Sequence, residues 1–203
     1  MAALGILGGT FNPPHVGHVV CAQEAQARLG LGRVVLMPVS SPPHKPLPAE
    51  PGPDVRLEMC RLAAEGVDWL EVSDLEVRRG GPSYTADTLE ALRAQHPGDE
   101  LTWIAGGDMA LSLPGWRDPE RVLALARFAV AERERARREE IERSIAGLAG
   151  RDSVVFLDMP RIDVSSSMVR DRVAAGLPVR WLVPDAVRAY VEAHGLYRSP
   201  VTA

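Results

Sequence analysis

Short, unbroken apolar runs separated by stretches of helical period constrain this chain more than any other feature. "ALGILG" near the start, "RVVLMP" (33–38), "LTWIAG" (101–106), "FAVAE" (128–132) and "VVFLD" (154–158) are each too short for a helix, and none alternates with polar residues. Such runs read as strands buried on both faces. Between them lie helical patterns at His15–Leu29, ended by Gly30, at Asp54 to about Ala64, with Asp54 as cap, and at Ser83–Gln95. Two more follow Ser165 and Pro184. Strands alternating with helices predict an α/β fold: a doubly wound, Rossmann-like parallel sheet with helices on both faces and right-handed crossovers. "LEVSDLEV" (70–77) is expected to be extended, and the proline-rich 40–53 to be a loop. No repeat is visible. A chain of 203 residues is read as one domain, 1–203, with 165–203 as a C-terminal helical subregion.

Composition narrows the class. A net charge of -4 argues against a nucleic-acid coat or a basic membrane-surface protein, so neither nucleic acid nor membrane is expected as a partner. The dense segment "AERERARREEIER" (131–143) mixes both signs at helical spacing, which means a solvated helix face. Cys21 and Cys60 belong to no C-x-x-C pair and are expected as buried free thiols. No apolar run approaches the roughly 20 residues that span a bilayer. No charged segment precedes the first apolar stretch, so a signal peptide is not expected and a cytoplasmic location is.

In doubly wound sheets, ligands sit beyond the C-terminal strand ends. Here those ends are Gly8–His18, Pro38–Lys45, Gly106–Trp116 and Arg161–Arg170. Gly8 and Gly9 follow a strand and precede a helix, where backbone N–H groups can meet a phosphate. The stretch is neither a dinucleotide fingerprint nor a Walker loop. His15 and His18 share one face of the helix's first turn. Phosphate ligands, half a zinc site and structural histidines are the three readings, and no further His or Cys cluster accompanies them to complete a metal site.

"GGTFNPPHVGH" (8–18) resembles the signature of the H-x-G-H nucleotidyltransferase superfamily, and "VSSSMVR" (164–170) resembles its I-S-S-T-x-[IV]-R element. Asn12 stands where members often carry Asp, and Pro14 where they often carry an aliphatic residue. Physically, Ser165, Ser166 and Ser167 can cap a helix and offer hydroxyls, and Arg170 can grip phosphate oxygens in a fork. "PPHK" (42–45), "YTADTL" (84–89) and "GGDMALSLPGW" (106–116) resemble the nicotinate-nucleotide adenylyltransferase family, over residues 1 to about 195.

That resemblance implies adenylyl transfer from ATP to nicotinate mononucleotide, giving deamido-NAD and pyrophosphate. It implies His15, His18 and Arg170 as catalytic residues. ATP would meet Gly8, Gly9, Thr10, Phe11, His15, His18, Gly106, Ser165, Ser166, Ser167 and Arg170. Nicotinate mononucleotide would meet Asn12, His44, Lys45, Tyr84, Thr85, Asp108, Trp116 and Arg117. Thr85 is read as the cap of its helix, with outward N–H groups for the pyridine carboxylate. Trp116 offers a face to the ring. Asp108 either bonds a ribose hydroxyl or caps the helix at 108–113. Lys45 sits on a loop read as a lid. Mg²⁺ enters with ATP, with no dedicated protein ligand. A homo-oligomer is compatible with the sequence. Two alternatives stand: phosphopantetheine adenylyltransferase or another H-x-G-H enzyme, and a non-catalytic nucleotide-binding sensor.

Overall fold

The structure is a computed structural model that describes residues 3–42, 51–132 and 134–198. The apolar runs are strands: β1 (Ala3–Gly9), β2 (Arg33–Pro38), β4 (Glu100–Gly106), β5 (Arg127–Ala131) and β6 (Val154–Leu157), with a short β3 (Leu70–Val72). All pair in parallel, in the order β3-β2-β1-β4-β5-β6. The order reverses between β1 and β4, so the crevice at the switch point opens above their carboxyl ends.

Around the sheet lie α1 (Val16–Leu29), α2 (Pro53–Ala64), α3 (Leu75–Arg79), α4 (Thr85–Gln95), α5 (Gly107–Ser112), α6 (Pro119–Leu125), α7 (Arg135–Ile145), α8 (Ser166–Ala174) and α9 (Asp185–Ala193). Ile6, Leu89, Trp103, Val122, Phe128 and Ile141 fill the core on one face. Leu7, Ala22, Ala25, Leu36, Cys60 and Ile104 fill it on the other. A third cluster seats α8 and α9 on α2 through Met59, Val169, Val183, Val187 and Val191. The C-terminal helices are thereby anchored beside the β1 end of the switch-point crevice. Cys21 and Cys60 are free and buried, and burial pushes the Cys21 thiol up to about 12.

Several local expectations need correction. "LEVSDLEV" is not one extended segment: β3 ends at Val72 and α3 begins at Leu75. Ser73 Oγ accepts the Leu75 N–H at 3.2 Å and starts that helix, and Gly80, at φ 69, ends it. Asp54 is not the cap of α2, because Gly52 holds that position and Pro53 opens the helix. Likewise α1 begins at Val16, with His15 as its N-cap residue.

Candidate active site

The turn after β1 is built from the strand outward. A Cβ on Gly8 would lie 2.4 Å from the Trp103 ring, and one on Gly9 would lie 3.1 Å from Phe11. Both glycines therefore make room for the protein's own aromatics. Phe11, buried and at φ 50, folds its ring back over Gly9. The chain then passes a cis Asn12–Pro13 bond and reaches His15 in extended conformation.

His15 and His18 are brought together, with ring centroids 3.7 Å apart. Phe11 packs edge-on to His18 at 4.9 Å. The His15 backbone N–H donates to His18 Nδ1 at 3.1 Å. That bond places the His18 proton on Nε2, so the far nitrogen is a donor. Burial lowers His15 to about 4 and His18 to about 3, the latter aided by its neighbour. Both rings are neutral N–H donors at pH 7, not imidazolium cations. Gly17 serves the pair too: a Cβ there would lie 3.0 Å from His15 Nδ1.

Four distant elements hold this turn. Arg56 of α2 is fully buried, and its guanidinium donates to the carbonyls of Thr10 (2.9 Å), Val39 (2.8 Å) and Ser40 (2.9 Å). It ties the end of β1 to the end of β2. Arg170 Nη1 donates to the Asn12 carbonyl at 2.7 Å, and Ser166 Oγ to the Pro13 carbonyl at 2.8 Å. The Tyr197 hydroxyl donates to Asn12 Oδ1 at 2.6 Å. The Val16 N–H donates to the Leu182 carbonyl at 3.0 Å.

The serine element behaves as its sequence suggests. Ser165 caps α8, its Oγ accepting the Met168 N–H at 3.1 Å. Arg170 Nη2 donates to Ser167 Oγ at 3.0 Å, so the arginine leans from α8 onto the β1 turn. A guanidinium carries more N–H donors than these two bonds use. The two motifs, far apart in sequence, thus meet at one place.

The remaining expected site residues lie on α4 and on the chain from β4 to α6. Tyr84, not Thr85, is the N-cap residue of α4, and Thr85 opens the helix with no side-chain cap bond on its first turn. Such an end is a receiver for an anion. The Arg117 guanidinium lies 4.5 Å from the Tyr84 ring centre and 3.1 Å from Asp87 Oδ1, which places it at that same helix start. Trp116 is half-buried, edge-on to Phe128 at 5.9 Å, and its Nε1–H donates to Ser112 Oγ at 2.9 Å. Asp108 does not cap α5; Gly106 does. The exposed Asp108 carboxylate instead accepts a hydrogen bond from Arg137 of α7. Gly107 is fixed by Glu132, whose Oε2 would lie 2.5 Å from an added Cβ. His44 and Lys45 lie outside the described residues.

Sequence reasoning missed Arg56 and Tyr197. An arginine at helical spacing reads as a solvated side chain, and no local pattern pairs residue 12 with residue 197. It also missed Gly17, although the glycine sits inside the quoted motif.

Among the described residues, no group of three or more His, Cys, Asp or Glu is placed to hold a metal ion. The His, Ser and Arg groups around the turn are N–H and O–H donors, a set suited to anions. No helix among the described residues is long and apolar enough to cross a membrane.

A crevice that offers donors on both sides of a switch point is suited to moving a nucleotidyl group, and the cytidylyltransferase-like family model matches residues 6–172. A protein of Roseiflexus sp. (strain RS-1) named "Probable nicotinate-nucleotide adenylyltransferase" is 43% identical over 197 residues, 97% of this chain and 98% of its own. One of the same name from Pseudomonas putida (strain W619) is 40% identical over 212 residues, covering 97% and 95%. The fold matches Plasmodium falciparum nicotinic acid mononucleotide adenylyltransferase complexed with NaAD, with a TM-score of 0.75 at 14% identity, covering 97% of this chain and 98% of that one. The chain belongs to the nicotinate-nucleotide adenylyltransferase family.

Proposed function

We propose that this chain transfers the adenylyl group of ATP to nicotinate mononucleotide, forming deamido-NAD and pyrophosphate. The observation that carries the reading is the 2.7 Å bond from Arg170 to the Asn12 carbonyl, which puts the serine-capped helix and the histidine turn on one site. Each alone is an ordinary helix start. Joined, they form a two-sided clamp for a triphosphate.

The nucleophile is a phosphate oxygen of nicotinate mononucleotide, already anionic at pH 7, so no general base is needed. It bonds to the α-phosphorus while the bond to the bridging oxygen of the β-phosphate breaks, and pyrophosphate leaves with that electron pair. The protein aligns the attack and meets charge as it spreads. His18 Nε2–H donates to the α-phosphate, with its tautomer set by the His15 amide. His15 donates beside it. Arg170 and the Ser165–Ser167 helix start hold the β- and γ-phosphates. Gly8, Gly9, Thr10, Phe11 and Gly106 line the ATP side. Mg²⁺ brought in with ATP would supply positive charge to the phosphates, with no dedicated protein ligand assigned to it.

The pyridine carboxylate goes to the first turn of α4 at Thr85, with Arg117 beside it and Trp116 against the ring. Nicotinamide mononucleotide would set an amide against those donors, which costs tenfold or more. The chain acts as one domain, with α8 and α9 on the phosphate side.

The test is pyrophosphate release with ATP, Mg²⁺ and one of three acceptors: nicotinate mononucleotide, nicotinamide mononucleotide or 4′-phosphopantetheine. Release with the first, and much less with the others, is expected. Release with 4′-phosphopantetheine alone would move the chain to the neighbouring activity, and none with any acceptor would make it a binding module.

A further inference from the structure

The C-terminal end of the chain reaches the catalytic turn. Tyr197 follows α9, 185 residues beyond Asn12, yet its hydroxyl donates to Asn12 Oδ1 at 2.6 Å. Its backbone is in the left-handed region, at φ 62, sparsely populated by a residue that carries a Cβ. Conformations of that kind persist only where the surroundings over-determine them. Here the ring is packed in the cluster of α2, α8 and α9, with its hydroxyl 4.0 Å from Met59 Sδ.

Asn12 is 2% exposed, so its side chain is spent inside the protein. Its carbonyl receives Arg170 and its side-chain oxygen receives Tyr197, while Nδ2 is buried with no hydrogen-bond partner among the described residues. The Tyr197 hydroxyl therefore orients this side chain. Three residues further on, His15 begins the pair that faces the phosphates. Any rotation of the Asn12 peptide moves the carbonyl that Arg170 grips and the backbone that leads to His15.

We propose that Tyr197 is a positioning residue for adenylyl transfer: through Asn12 it sets the register between the histidine turn and Arg170. It touches no substrate and acts only through that turn. The proposal rests on the adenylyl-transfer reading above.

The experiment is Tyr197→Phe, which deletes one hydroxyl and keeps the ring in its cluster. Pyrophosphate release with ATP, Mg²⁺ and nicotinate mononucleotide is measured well below the melting points of both proteins. We expect kcat to fall about tenfold, with KM for each substrate within about twofold, because misplaced groups are felt most at the transition state. An unchanged kcat overturns the proposal, as does a tenfold rise in KM with kcat intact. Asn12→Ala and the double variant complete a cycle. Equal losses in the two single variants, with no further loss in the double, support one pathway; losses that multiply overturn it. If the wild-type protein releases no pyrophosphate, the adenylyl-transfer reading fails, a result distinct from a Tyr197→Phe variant that matches an active wild type.

Discussion

His18 lies against His15 with ring centroids 3.7 Å apart and the ring planes tilted by 33°, and its Nδ1 accepts the His15 backbone N–H at 3.1 Å. One contact fixes the ring plane, and the other fixes which nitrogen carries the proton. In the proposed reaction His18 is the donor to the α-phosphate; His18→Ala removes that donor and, with it, the acceptor of the His15 N–H at the start of α1. The expected result is a folded protein whose kcat falls by about three orders of magnitude, the scale for a preorganised donor to developing negative charge. Steady-state pyrophosphate release beside a circular dichroism melt checks it; near-wild-type turnover would exclude the assigned role.

The same burial predicts how stability responds to acid. In the folded protein His15 titrates near 4 and His18 near 3, against 6.5 for an exposed imidazole. Between about 6.5 and those values the unfolded chain binds protons that the folded chain refuses. Stability therefore falls as pH drops through that window and is flat above it. Glu76, held above the usual carboxylate range by burial, acts in the opposite sense. Urea unfolding of His15→Gln and His18→Gln from pH 8 to pH 4 isolates the histidine part. Each variant should show a shallower decline than the wild type.

The strands and their winding were legible because a strand buried on both faces must be apolar throughout, and few other structures produce such runs. The meeting of His15 and His18 was legible because residues three apart share one face of a helix's first turn. What stayed hidden was long-range. Arg56 reads locally as a helix-surface charge, and only the fold shows it beneath Thr10 and Val39. The helix in "LEVSDLEV" was hidden because its start depends on one serine hydroxyl and one buried glutamate, not on periodicity. Thr85 is not the cap because the chain is extended at Tyr84, one residue earlier, and Tyr84 takes that position.

Arg56 gives the third prediction. Its guanidinium satisfies three backbone carbonyls at the ends of β1 and β2 with no exposed surface. Arg56→Met leaves those acceptors buried without their donor, at a cost of about 3 kcal/mol. For a chain of this length that lowers Tm by roughly 10 °C. Arg56→Lys keeps the charge but cannot reach three carbonyls from one planar fork, so it should fall between the two. Differential scanning calorimetry of the three proteins ranks them; equal melting temperatures would mean that the carbonyls find other donors.

Gly17 separates activity from stability most cleanly. It lies in the first turn of α1, in ordinary helical space, so alanine is favoured there by up to about 1 kcal/mol on helix propensity. Yet a Cβ at this position would sit 3.0 Å from His15 Nδ1 and 3.1 Å from its Cε1. The imidazole must yield by a few tenths of an ångström, and with it the adjoining His18 ring. Gly17→Ala should thus melt at or slightly above the wild-type temperature while kcat drops about tenfold from misalignment. Raised stability with full activity would show that the histidine pair tolerates the shift, and that the contact between its rings does not set kcat.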